Sequence, residues 1–223
     1  MGLARADRMA REFAVEIEWV PFELHPETPA EGYERQEQSN VARAGMRERI
    51  YALAEEAGLP LQSNRIVANA HKSLEAAEWA RDQGVDEFDT AHRALFKSYF
   101  SEARNISTTD QVVAAMEDTG LDMAALRQAL EAGTYGERVD QMTAMARQNG
   151  ISSTPTFIFE DRFVVSGAQD FETFADFLTR IGVPRREGVE PGPLNTDPAP
   201  PGEDHADPAA AADDGVISPD DIS

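Results

Sequence analysis

A short segment in the last third of the chain constrains the fold more than any other. The apolar, β-prone runs Thr156–Phe159 and Phe163–Ser166 flank the charged residues 160–162. This pattern predicts a β-hairpin. Pro155 stands directly before the first run, where its missing N–H removes no hydrogen bond from a strand ladder. The Thr154–Pro155 bond can also be cis, because a proline amide lowers the trans preference to about 0.5–1 kcal/mol.

The first 24 residues combine a helix with a strand. Apolar residues recur at helical spacing over residues 2–13, which predicts an amphipathic helix. Val15, Ile17 and Trp19 then alternate with two glutamates. A period of two predicts a strand with one face toward solvent.

Helical periodicity continues from about residue 34 to residue 149. One helix is predicted around residues 41–57. Asp86, Thr108 or Thr109, and Asp122 are predicted N-caps of later helices, because their side-chain oxygens can accept hydrogen bonds from the first helical N–H groups. A last amphipathic helix is predicted after Asp170.

Negative charge is concentrated in a C-terminal tail. The formal net charge is −21, and residues 187–223 contain ten acidic residues, seven prolines and no Lys or Arg. Such a segment has too little apolar surface to offset its ordering entropy, so we predict a disordered tail that is dispensable for folding. The acidic excess argues against nucleic acid or an anionic membrane as a partner.

Composition also limits the chemistry. The 223 residues contain no cysteine, which excludes disulfides, thiolate metal ligands and thiol catalysis within them. His25, His71, His92 and His205 are scattered, so we predict no metal site and no cofactor. His92 lies on an apolar helical stripe and is predicted to be a hydrogen-bonded histidine of the core or its boundary, while His71 is predicted to make a local hydrogen bond. No apolar run approaches the ~18 residues that span a bilayer, and no signal-peptide pattern is present, so we expect a cytoplasmic protein.

Several short motifs occur together across residues 2–182. They are Trp19–Leu24, Ser63-Asn64-Arg65, Leu74–Glu78, Phe96, Tyr99-Phe100, Asn105-Ile106, Gly120-Leu121-Asp122, Gly150-Ile151, Thr154-Pro155-Thr156-Phe157 and Gly167-Ala168-Gln169. In combination they resemble the DsbA-like oxidoreductases of the thioredoxin fold. Within that family, the resemblance is to the group of FrnE and the 2-hydroxychromene-2-carboxylate isomerases.

The resemblance implies an α/β fold, thioredoxin-like, with an inserted all-helical domain. It assigns residues 1–33 and 136–186 to a discontinuous thioredoxin-like domain, 34–135 to the helical insertion and 187–223 to the tail. In the family, the first strand lies between the strand of residues 15–20 and the hairpin, and this chain offers no segment for it. We therefore expect an incomplete or rearranged sheet, and a natural start upstream of Met1.

The resemblance also implies where a site would lie. In the family, a Cys-x-x-Cys pair at the start of the first helix packs against the cis-proline loop, and its thiolate has a lowered pKa. The matching cysteines would precede Met1, so no catalytic residue is assigned. Thr154 and Pro155 are the predicted substrate-binding residues, with the Thr154 backbone offered to an extended substrate. We expect a cis Thr154–Pro155 bond beside the N-terminal end of the first helix.

Three functions stay open from the sequence. The favoured one is a DsbA-family thiol–disulfide oxidoreductase that acts on a protein or small-molecule thiol or disulfide, and that is redox-inactive as written because it lacks cysteine. The second is a cysteine-free thioredoxin-fold module that binds peptides or protein partners. The third is a relative of the glutathione-dependent isomerases, with glutathione as its cofactor. The sequence indicates neither the substrate nor the oligomeric state.

Overall fold

The computed structural model describes residues 1–35 and 60–189, together with seven residues between 45 and 55. The helix predicted around residues 41–57 and the tail beyond residue 189 therefore lie largely or wholly outside the described residues. The described helices are α1 (Gly2–Glu12), α2 (His71–Arg81), α3 (Val85–Phe96), α4 (Thr109–Met116), α5 (Met123–Ala132), α6 (Gly136–Gln148) and α7 (Phe171–Arg180). The strands are β1 (Tyr33–Glu34), β2 (Ile66–Val67), β3 (Thr156–Phe159) and β4 (Phe163–Ser166). None of the helices in the described part is long and apolar enough to cross a membrane.

One apolar cluster lies within the helical region. Trp79 of α2, Phe88 of α3, Met116 of α4 and Leu126 of α5 are among its buried members. Each of these helices therefore buries one apolar face, as its periodicity predicts. Helix α6 packs against α2 as well. The helical region thus has a core of its own.

The helices α4 and α5 begin at the two predicted caps. The hydroxyl of Thr108 accepts from the N–H of Gln111, whose side chain in turn accepts from the N–H of Thr108. The carboxylate of Asp122 accepts from the N–H groups of Ala124 and Ala125. These bonds satisfy backbone donors that have no partner within the helix, so Thr108, and not Thr109, caps α4, and the predicted cap Asp122 is confirmed. The predicted cap Asp86 is wrong, because α3 begins after Gly84 and Asp86 lies inside its first turn.

A second apolar cluster joins α1, the hairpin and α7. Its buried members include Met9, Phe13, Phe174 and Leu178, and the half-buried Phe157 of β3 packs against them. Strands β3 and β4 pair antiparallel over their whole length, which confirms the predicted hairpin. One face of the hairpin therefore lies on α7, and this packing fixes the position of the loop that precedes β3.

The strand predicted around Val15, Ile17 and Trp19 is wrong. After α1, Phe13 forms a single bridge with Arg185, and the described residues form two sheets of two strands each. A strand needs a neighbour for its backbone groups, and no described strand lies beside this segment. Instead, Trp19 packs against the helical cluster and its C=O accepts from Arg81 at 2.6 Å. Strand β3 likewise has β4 as its one partner among the described residues, so the sheet is incomplete, as expected.

The two clusters agree with an α/β thioredoxin-like fold that carries a helical insertion. Residues 1–15 pack on the hairpin side, whereas Trp19 packs on the helical side. Helix α6, which the predicted division places in the thioredoxin-like domain, packs against α2. The exact domain boundaries stay a prediction.

A bidentate ion pair links the two clusters across a large sequence separation. Arg93 of α3 donates to both carboxylate oxygens of Asp7 in α1, each at 2.9 Å, and also to Asp89 at 2.7 Å. Hydrogen bonds to Asp7, then to Asp89, raise the pKa of Arg93. The pair therefore helps to hold α1 on the helical region.

We expect Asp7→Asn to lower the free energy of unfolding by about 0.5–1 kcal/mol, because the pair is only partly shielded from solvent. Urea unfolding followed by circular dichroism measures this change. Asp110→Asn is the control, since its pair with Arg127 is far more exposed and should contribute less. Equal losses in the two variants would contradict a bridging role for Asp7.

Candidate functional site

The loop before β3 meets the first turn of α1. The Thr154–Pro155 bond is cis. A Cβ atom built on Gly2 would lie 2.9 Å from Cβ and 3.3 Å from Cγ of Pro155. Real Cβ atoms do not approach so closely, so the proline ring rests on the backbone of Gly2 because glycine has no side chain. The structure thus places the two predicted site residues at the N-terminal end of α1.

The hairpin holds this loop in place. The C=O of Pro155 accepts from the N–H of Gly167 at 2.8 Å, and the hydroxyl of Thr156 donates to the C=O of Ser153 at 2.7 Å. Thr154 is exposed, and no residue in the described ranges forms a hydrogen bond with its backbone N–H or C=O. One backbone unit at the end of a fixed loop is therefore available to an extended ligand.

The N-terminal end of α1 gives this region a positive potential. The first turn of α1 contains no acidic residue, and its N-cap residue Met1 makes no side-chain capping bond. Its N–H groups form the positive end of the helix dipole. Burial, and then the neighbouring Arg5, lower the pKa of the Met1 amino group. The surroundings thus disfavour an added positive charge and favour an anionic or neutral group.

A cavity of about 330 Å³ lies beside the same loop. Its lining residues are Phe22, Leu24, Arg147, Gly150, Ile151 and Ser152. The guanidinium of Arg147 donates to the C=O groups of Glu23 and Leu24 at 3.0 and 3.3 Å, which fixes one wall. A cavity of this size can hold one or two side chains of a ligand. Sequence patterns did not indicate it, because its walls come from two distant segments.

A cluster of carboxylates and a histidine was also missed. Glu23, His71 and Asp140 each offer a ligand atom, and these atoms all lie within 4.8 Å of one another. His71 also contacts Glu75, four residues further along α2. That spacing puts two side chains on one helix face, and it is the signal in the sequence that indicates this cluster. The prediction of only a local hydrogen bond for His71 was therefore incomplete.

His92 is half-buried, which agrees with the predicted core or boundary position, but its hydrogen bonding differs from the prediction. Its ring lies among those of Trp19, Phe88 and Phe96, with centroids 4.6–5.2 Å away. Its Nδ1 atom has no hydrogen-bond partner among the described residues. Burial lowers the pKa of His92 to about 4. The apolar neighbours can exclude water from the ring but cannot hydrogen-bond to it, so the ring stays neutral at pH 7.

Comparison with known proteins supports the same fold. The family model described as a DSBA-like thioredoxin domain matches residues 1–179. The uncharacterized protein YwbO of Bacillus subtilis (strain 168) is 28% identical over 183 residues, which cover 78% of this chain and 86% of that protein. The match to the family model includes α1, α2 to α6 and the hairpin with its Thr154–Pro155 loop. The chain therefore belongs to the DSBA-like thioredoxin domain family.

Proposed function

We propose that this 223-residue chain forms the substrate-binding part of a DsbA-family thiol–disulfide oxidoreductase. The observation that carries the proposal is the contact of Pro155 with Gly2, which puts the exposed backbone of Thr154 beside the N-terminal end of α1. An extended protein segment that carries a thiol or disulfide would bind there. Kinship with the FrnE group and a cytoplasmic location are part of the same proposal.

The geometry suits binding by strand addition. The N–H and C=O of Thr154 would pair with the backbone of the ligand, and alternate side chains of the ligand would need pockets. The cavity next to Gly150–Ser152 would receive one of them. The backbone contacts would give affinity, and the cavity would give a preference for certain side chains.

The thiol step itself needs a group that this sequence does not contain. In thiol–disulfide exchange, a thiolate attacks one sulfur of a disulfide, and the other sulfur leaves as a thiolate. The 223 residues have no cysteine. We therefore assign them binding and orientation of the substrate, with no redox step of their own. The positive end of α1 would favour the thiolate form of a sulfur held near Gly2.

Gly2→Ala tests the proposed binding site. The added Cβ would displace Pro155 and with it Thr154, so we expect the affinity for an extended, cysteine-containing peptide to fall about 5–150-fold, which corresponds to the cost of about 1–3 kcal/mol for overpacking. Fluorescence anisotropy of a labelled peptide with its thiol methylated measures the affinity. Gly45→Ala is the control, because a Cβ at Gly45 meets no atom of the described residues within 4 Å. Equal affinities of the two variants would refute binding at Thr154.

A peptide-binding module without redox chemistry is the second candidate, and the absence of cysteine favours it. Peptides that differ only by Cys or Ser distinguish the two functions. A preference for the cysteine peptide supports the oxidoreductase assignment, and equal binding supports the general module.

A glutathione titration tests the third candidate, the isomerase relative, because only that function requires a glutathione site.

A further inference from the structure

Glu23, His71 and Asp140 come together from three separate parts of the chain. Glu23 lies in the segment after α1, His71 opens α2, and Asp140 is on α6. Nδ1 of His71 lies 3.2 Å from Oε2 of Glu23. The Glu23 side chain is buried and Asp140 is exposed, so the cluster opens to solvent on one side.

The other ring nitrogen of His71 already has a carboxylate partner. Its Nε2 lies 3.4 Å from Oε1 of Glu75, whose side chain is 1% exposed. A metal-binding histidine commonly donates its second N–H to a carboxylate, which fixes the ring and makes the ligating nitrogen more basic. His71 is thus oriented with Nδ1 toward Glu23 and Nε2 toward Glu75.

Two further observations at Glu75 point to an incomplete polar cluster. Its Oε2 is buried and has no hydrogen-bond partner among the described residues. Gly136, the first residue of α6, lies beside the side chains of His71 and Glu75. A Cβ atom on Gly136 would be 3.4 Å from Nε2 of His71. The glycine leaves free space next to the imidazole. The unpartnered oxygen leaves negative charge uncompensated beside His71, and this charge favours a cation bound at the other ring nitrogen.

The charges around the cluster also favour a cation. Glu23, Glu75 and Asp140 supply three carboxylates. The ammonium of Lys72 is held by Oε1 of Glu75 and by the C=O of Leu130, each at 2.7 Å. The Glu23 carboxylate has His71 as its ion-pair partner among the described residues. A buried carboxylate needs compensation by a paired cation or a metal ion.

We propose that Glu23, His71 and Asp140 bind one divalent transition-metal ion of the zinc class. An imidazole with two carboxylates is a nitrogen and oxygen set that zinc accepts, while magnesium and calcium prefer oxygen alone. Zinc bonds of about 2.0–2.2 Å place tetrahedral ligand atoms about 3.3–3.5 Å apart. The distance of 3.2 Å between Nδ1 of His71 and Oε2 of Glu23 matches this edge. Asp140 would approach by a side-chain rotation, and water would complete the coordination.

The ion would have a structural role. Glu23 belongs to the segment that forms one wall of the cavity, and its N–H donates to the hydroxyl of Thr143 on α6. A metal bound by Glu23, His71 and Asp140 would fasten this segment to both α2 and α6. It would thereby hold the cavity wall next to the Thr154–Pro155 loop. The metal site is a separate proposal, because it does not depend on what binds at Thr154.

Zinc binding to the whole 223-residue chain tests the proposal. After treatment with EDTA, the protein is titrated with zinc chloride in a calorimeter. We expect one saturable site per chain. Glu23→Gln, His71→Gln and Asp140→Asn should each weaken binding more than about tenfold, and Glu75→Gln about tenfold, as loss of a second carboxylate partner does in other sites.

Two controls separate this site from binding elsewhere. His25→Gln removes an exposed histidine whose ion-pair partner among the described residues is Glu27, and His205→Gln removes the histidine of the acidic tail. Both should bind zinc as the unaltered chain does.

Asp140→Asn is the ligand variant that is expected to keep its fold, because Asp140 is exposed. Circular dichroism checks that this variant is folded. At the same zinc concentration, the melting temperature of the unaltered chain should rise more than that of Asp140→Asn. No saturable binding, or unchanged binding by both Glu23→Gln and Asp140→Asn, would overturn the proposal.

Discussion

Lowering the pH from 6.5 to 4 should cost the protein about 3 kcal/mol of stability through His92 alone, since each pKa unit corresponds to about 1.4 kcal/mol. The pKa of His92 falls from 6.5 to about 4 on folding, chiefly because the ring is buried. Above pH 6.5 the ring is neutral in both states and contributes no pH dependence. As the pH falls below 6.5, the unfolded chain binds a proton that the folded protein does not, so stability falls until about pH 4.

Urea unfolding at pH 7 and pH 4 measures this loss. Carboxylates also titrate in acid, so the quantity to compare is the loss in the unaltered protein minus the loss in His92→Phe. Phe keeps a ring beside Trp19, Phe88 and Phe96 and does not titrate, and any packing strain that it causes is the same at both pH values. His92→Leu provides a second apolar variant, and the exposed His25→Gln is the control. If His92→Phe and His92→Leu lose as much stability in acid as the unaltered protein, the buried neutral histidine is not the cause.

The features that the sequence predicted well are those that depend on nearby residues. The hairpin follows from two apolar runs with a charged connection, and its pairing needs only residues 156–166. The caps Thr108 and Asp122 each bond to N–H groups two or three residues further on. These interactions join residues that are close together in the sequence, so a single sequence is sufficient to predict them.

The predicted strand around Val15, Ile17 and Trp19 failed for the opposite reason. Alternation describes a segment that suits a sheet, but hydrogen bonds with a neighbouring strand decide whether it becomes one. In the described residues, Trp19 instead meets His92 and its C=O meets Arg81. No local pattern of the segment contains these long-range contacts.

The site was predictable in part. The resemblance to DsbA-like proteins implied that Thr154 and Pro155 lie beside the N-terminal end of the first helix. In the structure, Pro155 contacts Gly2 at this end of α1. The cluster of Glu23, His71 and Asp140 was not predicted, because its members are far apart in sequence. Only the spacing of His71 and Glu75 on α2 was visible as a local signal.

Phe174→Ala should reduce the free energy of unfolding by about 3–5 kcal/mol, the usual cost of truncating a fully buried phenylalanine. The side chain is 0% exposed and lies at the centre of the cluster that joins α1, the hairpin and α7. Its ring centroid is 4.7 Å from that of Phe157 and 6.3 Å from that of Phe159, both on β3. The substitution would leave a cavity directly under the strand that follows Pro155.

Phe177→Ala is the matched control for this substitution. Phe177 lies on the same helix and contacts Phe159 and Phe163, but it is only half-buried, so its truncation leaves a smaller cavity. Amide hydrogen exchange then shows where the stability is lost. If the two apolar clusters fold as separate units, Phe174→Ala should speed exchange in the hairpin and α7 while α2 to α5 stay protected. An equal increase throughout the chain would mean that both clusters unfold in a single step, and would argue against independent domains. A loss no larger than that of Phe177→Ala would contradict the central role of Phe174.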